Sequence, residues 1–190
     1  MLIALNHPRV DLRQAGSLAD ARQRLVAEPD IQLALLDLAL PDSHGIATLA
    51  ALRDTAPTAR IVVLSADERP ETVLAAIDAG AAGFIPKTTE SNVLRQAIAT
   101  VIEGGIYIPA IVHQGAPAQA PVSTDTLGLT PRQVDVLRML VDGRSNKSIA
   151  RGLDLSPSTV KTHLEAIFLR LNVSSRTQAV VAAARLGLRL

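Results

Sequence analysis

The sequence predicts an α/β half built on a parallel sheet, followed by a small all-α half of four helices. Three observations carry that reading. Strand and helix signals alternate from residue 10 to residue 103. Four short helical segments follow one another from residue 129 onward. Charge divides between the two halves. Met1–Ile108 carries nine basic and thirteen acidic residues, net −4, whereas Leu129–Leu190 carries ten and four, net +6, within a chain of net charge +1. Such asymmetry points to a nucleic-acid-binding module attached to something else.

Composition narrows the classes. Hydrophobic residues make up 48 % of the 190, with two Phe, one Tyr and no Trp, so the cores must be aliphatic. The absence of Cys excludes disulfide scaffolds and Cys-based zinc sites. Four scattered His without a paired carboxylate pattern argue against a zinc site. No basic stretch precedes a long apolar run at the start, and no run approaches the ~20 apolar residues of a membrane span. A soluble cytoplasmic protein with no membrane contact is expected.

The elements of the first half follow in order. Val10–Ala15 reads as a strand. Ser17–Ala27 is helical, with Ser17 at the N-cap. Gln32–Leu36 is an apolar run between Asp30 and Asp37, a buried strand. Ile46–Thr55 is a helix with Leu49 and Leu52 on one face. Arg60–Leu64 is a β-branched buried strand. Pro70–Ala79 is a helix ended by Gly80. Gly83–Ile85 is a short strand, and Ser91–Glu103 a helix stopped by Gly104 and Gly105. Strands alternating with helices imply a parallel sheet with right-handed crossovers. From Pro109 to Thr126 periodicity disappears in PAIVHQGAPAQAPVSTDT, which marks a linker. The expected division is 1–108, a linker at 109–126, and 127–190.

In parallel sheets functional groups collect beyond the carboxyl ends of the strands. Asp37 follows LALL, Ser65 follows RIVVL and Lys87 follows GFIP: one polar residue at the end of each of three consecutive strands. The segments LLDLALPDSHG, VVLSA and AGAAGFIPKT resemble a two-component receiver domain over roughly Val10 to Ile108. The resemblance implies a flavodoxin-like fold of strand order 2-1-3-4-5 and a transcription-controlling response regulator. It implies that Asp37 accepts a phosphoryl group from a histidine kinase. Ser65 would then hydrogen-bond a phosphate oxygen, Lys87 would pair with its charge, and Phe84 would be the switch aromatic. A carboxylate is a competent nucleophile, and phosphoryl transfer needs chiefly positioning and cations.

One departure is serious. Receivers begin with a strand ending in an acidic pair that holds Mg²⁺, and only 36 residues precede Asp37. Two readings fit. Met1–Asn6 is the tail of the first helix and the first strand is absent, or LIALNHP is that strand, with Leu5 and Asn6 in place of the acidic pair. A misassigned start codon produces the same pattern. Either way the expected metal site at Asp37 is incomplete, with the Ala39 carbonyl as its companion and Asp42 or Glu68 the carboxylates that could complete it. Loss of the first strand leaves a gap between the second and third.

The second half opens with Thr130-Pro131, a capping hydroxyl followed by Pro at the first helical position. Val134, Leu137, Met139 and Leu140 supply the apolar face of that helix, and Gly143 breaks it. Asn146–Leu153 follows, with Ile149, Ala150 and Leu153 inward. Ser156 and Pro157 begin a longer helix to about Leu171, with Val160, Leu164, Ile167, Phe168 and Leu171 near one face. Ser175 caps a last helix carrying Ala179, Val180, Ala183 and Leu186. LTPRQ, GRSNKSIA, LSPSTVKTH and RTQAV resemble the LuxR/FixJ-type helix-turn-helix of the NarL/FixJ response regulators. The resemblance implies a recognition helix in the major groove of double-stranded DNA and homodimers on paired half-sites. It implies base contacts from Lys161 and Thr162 and phosphate contacts from Asn146, Lys147, Thr159 and His163. Gln133 stands where relatives usually carry Glu. Glu165 stands where some carry a basic base-contacting residue; a Glu can accept from cytosine N4 but repels near phosphate, so it either alters the target sequence or merely faces solvent.

The expected function is a DNA-binding regulator in a two-component phosphorelay, using Mg²⁺ if phosphorylation-competent. The alternative is a phosphorylation-independent regulator whose receiver is a dimerisation module. An aspartyl-phosphate phosphohydrolase is disfavoured because those enzymes commonly carry a second Asp two residues on, where this chain has Ala39. No enzyme is expected.

Overall fold

The computed structural model describes residues 11–111 and 127–188. Both readings of Met1–Asn6, and the linker beyond Ile111, lie outside them. Within 11–111 the elements are α1 (Leu18–Ala27), β1 (Leu33–Asp37), β2 (Ala39–Leu40), β3 (Ser43–His44), α2 (Ile46–Thr55), β4 (Arg60–Ser65), α3 (Pro70–Asp78), β5 (Gly83–Pro86) and α4 (Ser91–Ile102). Strands β1, β4 and β5 form a parallel sheet in that order, with Asp37 level with Leu64 and Ser65 level with Pro86. Strands β2 and β3 form a small antiparallel ribbon.

Side chains alternate across a strand, so each strand serves two cores. Leu36, Ile61, Val63 and Phe84 face Leu25, Leu49, Leu52, Val73 and Ile77 from α1–α3. Val62 and Ile85 face Ala97, Ile98 and Val101 of α4 on the other side. Helices therefore cover both faces, as a parallel sheet requires. Helix ends fall where sequence places them: Ser17 caps α1 through the Asp20 amide at 3.1 Å, and Gly80 follows α3 with φ +92°.

One element differs from expectation. Residues 11–15, predicted as a strand with Val10, are irregular, with Leu12 43 % exposed. A strand needs a neighbour to receive its backbone hydrogen bonds. Among the described residues none pairs with the outer edge of β1, so this segment has no ladder to join. The sheet described thus has three of the five strands of the expected order.

Residues 127–188 form α5 (Pro131–Val141), α6 (Asn146–Gly152), α7 (Pro157–Leu171) and α8 (Arg176–Arg185) around Val136, Leu137, Leu140, Ile149, Val160, Ile167 and Ala179. Thr130 and Gln133 form a capping box, in which the Gln133 side chain accepts from the Thr130 amide at 2.9 Å. Acceptance from an amide needs no charge, so the neutral Gln133 side chain completes the cap. Val136 is fully buried although the expected face omitted it; Val134 and Met139 are only partly buried.

The two halves meet along a seam. The Ile106 amide donates to the Gly143 carbonyl at 3.2 Å, and Ile106 is buried in the helical core. A Cβ on Gly105 would lie 2.5 Å from that carbonyl, so close approach requires glycine. In return Val181 of α8 is buried in the core that α3 lines.

Candidate functional sites

The carboxyl ends of β1, β4 and β5 bring Asp37, Ser65 and Lys87 to one pole. Register does this: Asp37 ends β1, Ser65 ends β4, and the Lys87 amide donates to the Ser65 carbonyl at 2.7 Å just past β5. Lys87 Nζ reaches Asp37 Oδ2 at 2.5 Å. Asp37 Oδ1 accepts from the Ala39 amide at 3.1 Å. Partial burial pushes the Asp37 carboxyl up, but the Lys87 hydrogen bond, the Ala39 amide and the Lys87 charge outweigh it and hold the carboxyl below its ordinary value. The carboxylate is therefore ionised, as a nucleophile must be.

Ser65 is buried, and its hydroxyl accepts from the Asp67 amide at 3.1 Å. Phe84 is fully buried beneath α3, its amide donating to the Tyr107 carbonyl at 2.9 Å.

The donor set does not fit Mg²⁺ among the described residues. That ion demands near-octahedral oxygen ligands. Both Asp37 oxygens already accept, from a cation and from an amide. Neither Asp42 nor Glu68 joins Asp37 in a cluster of potential ligands among the described residues. Asp42 accepts from the Leu18 amide at 2.8 Å and the Ala19 amide at 3.0 Å, capping α1 from the β2–β3 ribbon. Glu68 accepts from the Thr88 hydroxyl at 3.0 Å. No cluster of three or more His, Asp or Glu gathers among the described residues.

The second site is the surface of α6 and α7. A four-residue turn, Leu153–Ser156, joins the two helices, with Asp154 in the left-handed region at φ +53°. Arg132 of α5 donates to the Leu153 carbonyl and fixes the turn. Ser156 caps α7 through the Thr159 amide at 3.0 Å, and Pro157 opens it. Burial of Val160, Leu164, Ile167 and Leu171 turns the opposite face outward. Lys161 and Glu165 are 74 % and 64 % exposed there, their charged ends 3.9 Å apart. Thr162 and Lys147 are exposed; Thr159, His163 and Asn146 are half-buried.

Asn146 is not a simple surface contact. Its Oδ1 accepts from Arg176 Nη1 at 2.6 Å, and the same guanidinium donates to the Arg144 carbonyl. Burial, then the nearby Arg60 charge, lowers Arg176 to about 10. Arg176 thus positions the start of α6. It escaped the sequence reading because its partners lie some thirty residues away.

Residues 2–99 match the response regulator receiver domain, and residues 127–183 match the bacterial regulatory proteins of the luxR family. The chain is 35 % identical to the glycerol metabolism activator of Pseudomonas putida over 93 % of itself and 84 % of that protein. It is 38 % identical to the nitrate/nitrite response regulator protein NarP of Escherichia coli, over 87 % of itself and 77 % of that protein. A solved RcsB response regulator of Salmonella typhimurium is 19 % identical, with a TM-score of 0.47 over 94 % of this chain and 89 % of that one. The chain belongs to the two-component response regulators that carry a LuxR-type DNA-binding domain. It is a transcription regulator of that class.

Proposed function

We propose that this regulator reads DNA through the outward face of α7, with α6 holding the phosphate backbone. The observation that carries the proposal is the exposed face bearing Lys161 and Thr162 on α7, beside exposed Lys147 at the start of α6. Lys161, Thr162 and Glu165 reach base edges; Lys147, Thr159, His163 and Asn146 position the backbone. Paired half-sites imply a homodimer on DNA. DNA binding and the lack of a helix long and apolar enough to cross a membrane among the described residues support action in the cytoplasm.

Titrating promoter-derived duplexes with the full chain by fluorescence anisotropy at several salt concentrations tests the proposal. Affinity falls steeply with salt as counterions are released. Lys147→Ala weakens all duplexes about equally, whereas Lys161→Ala costs roughly 1–3 kcal/mol on the specific site alone. No binding to any duplex at low salt refutes the proposal.

For the other pole, Asp37 is the phosphoacceptor position, with Ser65 and Lys87 as the phosphate's partners, Phe84 as the switch aromatic, and a histidine kinase or small phosphodonor upstream. The absence of an acidic pair beside Asp37, with no cluster of metal-binding carboxylates among the described residues, supports weak phosphorylation. Incubation with acetyl phosphate and Mg²⁺ then leaves most of the protein unmodified by intact mass; rapid stoichiometric gain of a phosphoryl group on Asp37 contradicts this. Ala39, in place of a second Asp, supports a regulator without hydrolase activity.

A further inference from the structure

We infer that Glu165 makes this regulator demand a cytosine in each half-site. The inference rests on the DNA-reading proposal above and adds the base that one residue selects.

On α7, Ser158, Lys161, Thr162, Glu165 and Leu169 are all exposed at spacings of three and four, and so share one stripe. Its two hydroxyls also bond locally: Ser158 Oγ bonds Ser156 Oγ at 2.7 Å, and Thr162 donates to the Ser158 carbonyl at 3.2 Å while keeping its lone pairs for a base edge. Glu165 is the side chain on this stripe that can only accept.

Helix stability does not account for it. Glu placed four residues after Lys is the weaker order of such a pair, and exposed pairs contribute only ~0.3–0.5 kcal/mol. Within a half of net charge +6, a carboxylate on the groove-facing stripe also repels phosphate. It needs a compensating donor from the DNA. In the major groove the base donors are cytosine N4 and adenine N6. Adenine N6 lies beside the N7 acceptor, which repels a carboxylate and suits an amide side chain. Cytosine N4 remains.

Lys161 has the opposite chemistry, giving hydrogen bonds to guanine O6 and N7. Four residues, a rise of ~6 Å, separate the two along α7, and base pairs stack ~3.4 Å apart. The pair therefore reads neighbouring or next-but-one base pairs. Their 3.9 Å contact is a solvated pairing that parts when each meets its base.

Selection of binding sites from randomised duplexes by the full chain and by Glu165→Gln and Glu165→Lys tests this. Both substitutions are on an exposed position, and circular dichroism checks that each folds. The wild-type chain should select C at one position per half-site, with a C→T change there weakening binding roughly 5- to 150-fold. Glu165→Gln should move the preference to A and Glu165→Lys to G, with the rest of the site retained. An unchanged consensus in both variants, with a uniform gain in affinity for Glu165→Lys, overturns the inference and leaves DNA reading intact. Failure of the wild-type chain to select any site overturns the DNA-reading proposal, and this inference with it.

Discussion

Lys87 does two things for Asp37: it supplies a hydrogen bond and a charge, and both hold the carboxyl ionised against partial burial. Replacing it by Met should raise the Asp37 pKa, read by carboxyl ¹³C titration. A carboxylate depressed by folding contributes above its unfolded pKa of ~3.9, and that contribution is lost as pH falls through the lower folded value. Lys87→Met should therefore lower stability at pH 7, by no more than about 1 kcal/mol because both partners are a third exposed. The difference from wild type should shrink as pH falls below the carboxylate range. An unmoved Asp37 titration would show that Lys87 is held elsewhere in solution. At this scale Asp37, Ser65 and Lys87 were legible because parallel strands deliver their last residues to one end. Asp42 was not: its partners are amides 23 and 24 residues away, and no local pattern marks a carboxylate that caps a distant helix.

The turn between α6 and α7 carries the geometry of the DNA-reading element. Asp154 adopts φ +53°, a conformation costing roughly 1–2 kcal/mol for most residues but tolerated by Asp. Asp154→Val should lose about that much, whereas Asp154→Gly should be neutral or slightly stabilising. Ser156→Ala should cost ~1 kcal/mol by removing the cap of α7. Urea unfolding followed by helical circular dichroism measures all three. Equal behaviour of the Val and Gly variants would mean that the turn relaxes and carries no strain. Helix starts were legible in advance, since Ser17, Thr130, Ser156 and Ser175 each accept the amide hydrogen bond expected of a cap. The strand expected at Val10–Ala15 was not, because strand formation depends on a partner and local sequence does not supply one.

Across the whole molecule the seam joins the acidic and basic halves through small contacts. Val181 shows what a domain-by-domain reading misses. Sequence periodicity assigned Ala179, Val180, Ala183 and Leu186 to the helical core and left Val181 over, and Val181 is 3 % exposed because it inserts beside α3 of the other half. Arg176 and Arg60 lie near the same seam, partly buried and like-charged, which works against closure. Val181→Asp tests how far the seam governs function. The new carboxylate would enter an apolar contact where Val181 is buried, losing solvation beside Asp78 even though Arg185 lines the same cleft. The seam should open, and small-angle scattering should report a larger radius of gyration. The helical half should keep its circular dichroism, because its core is built from other residues. Binding to a single half-site should stay within about twofold of wild type, since Lys161 and Glu165 are 74 % and 64 % exposed with the seam closed. A large change in half-site affinity, with folding intact, would show instead that closure reaches the recognition face.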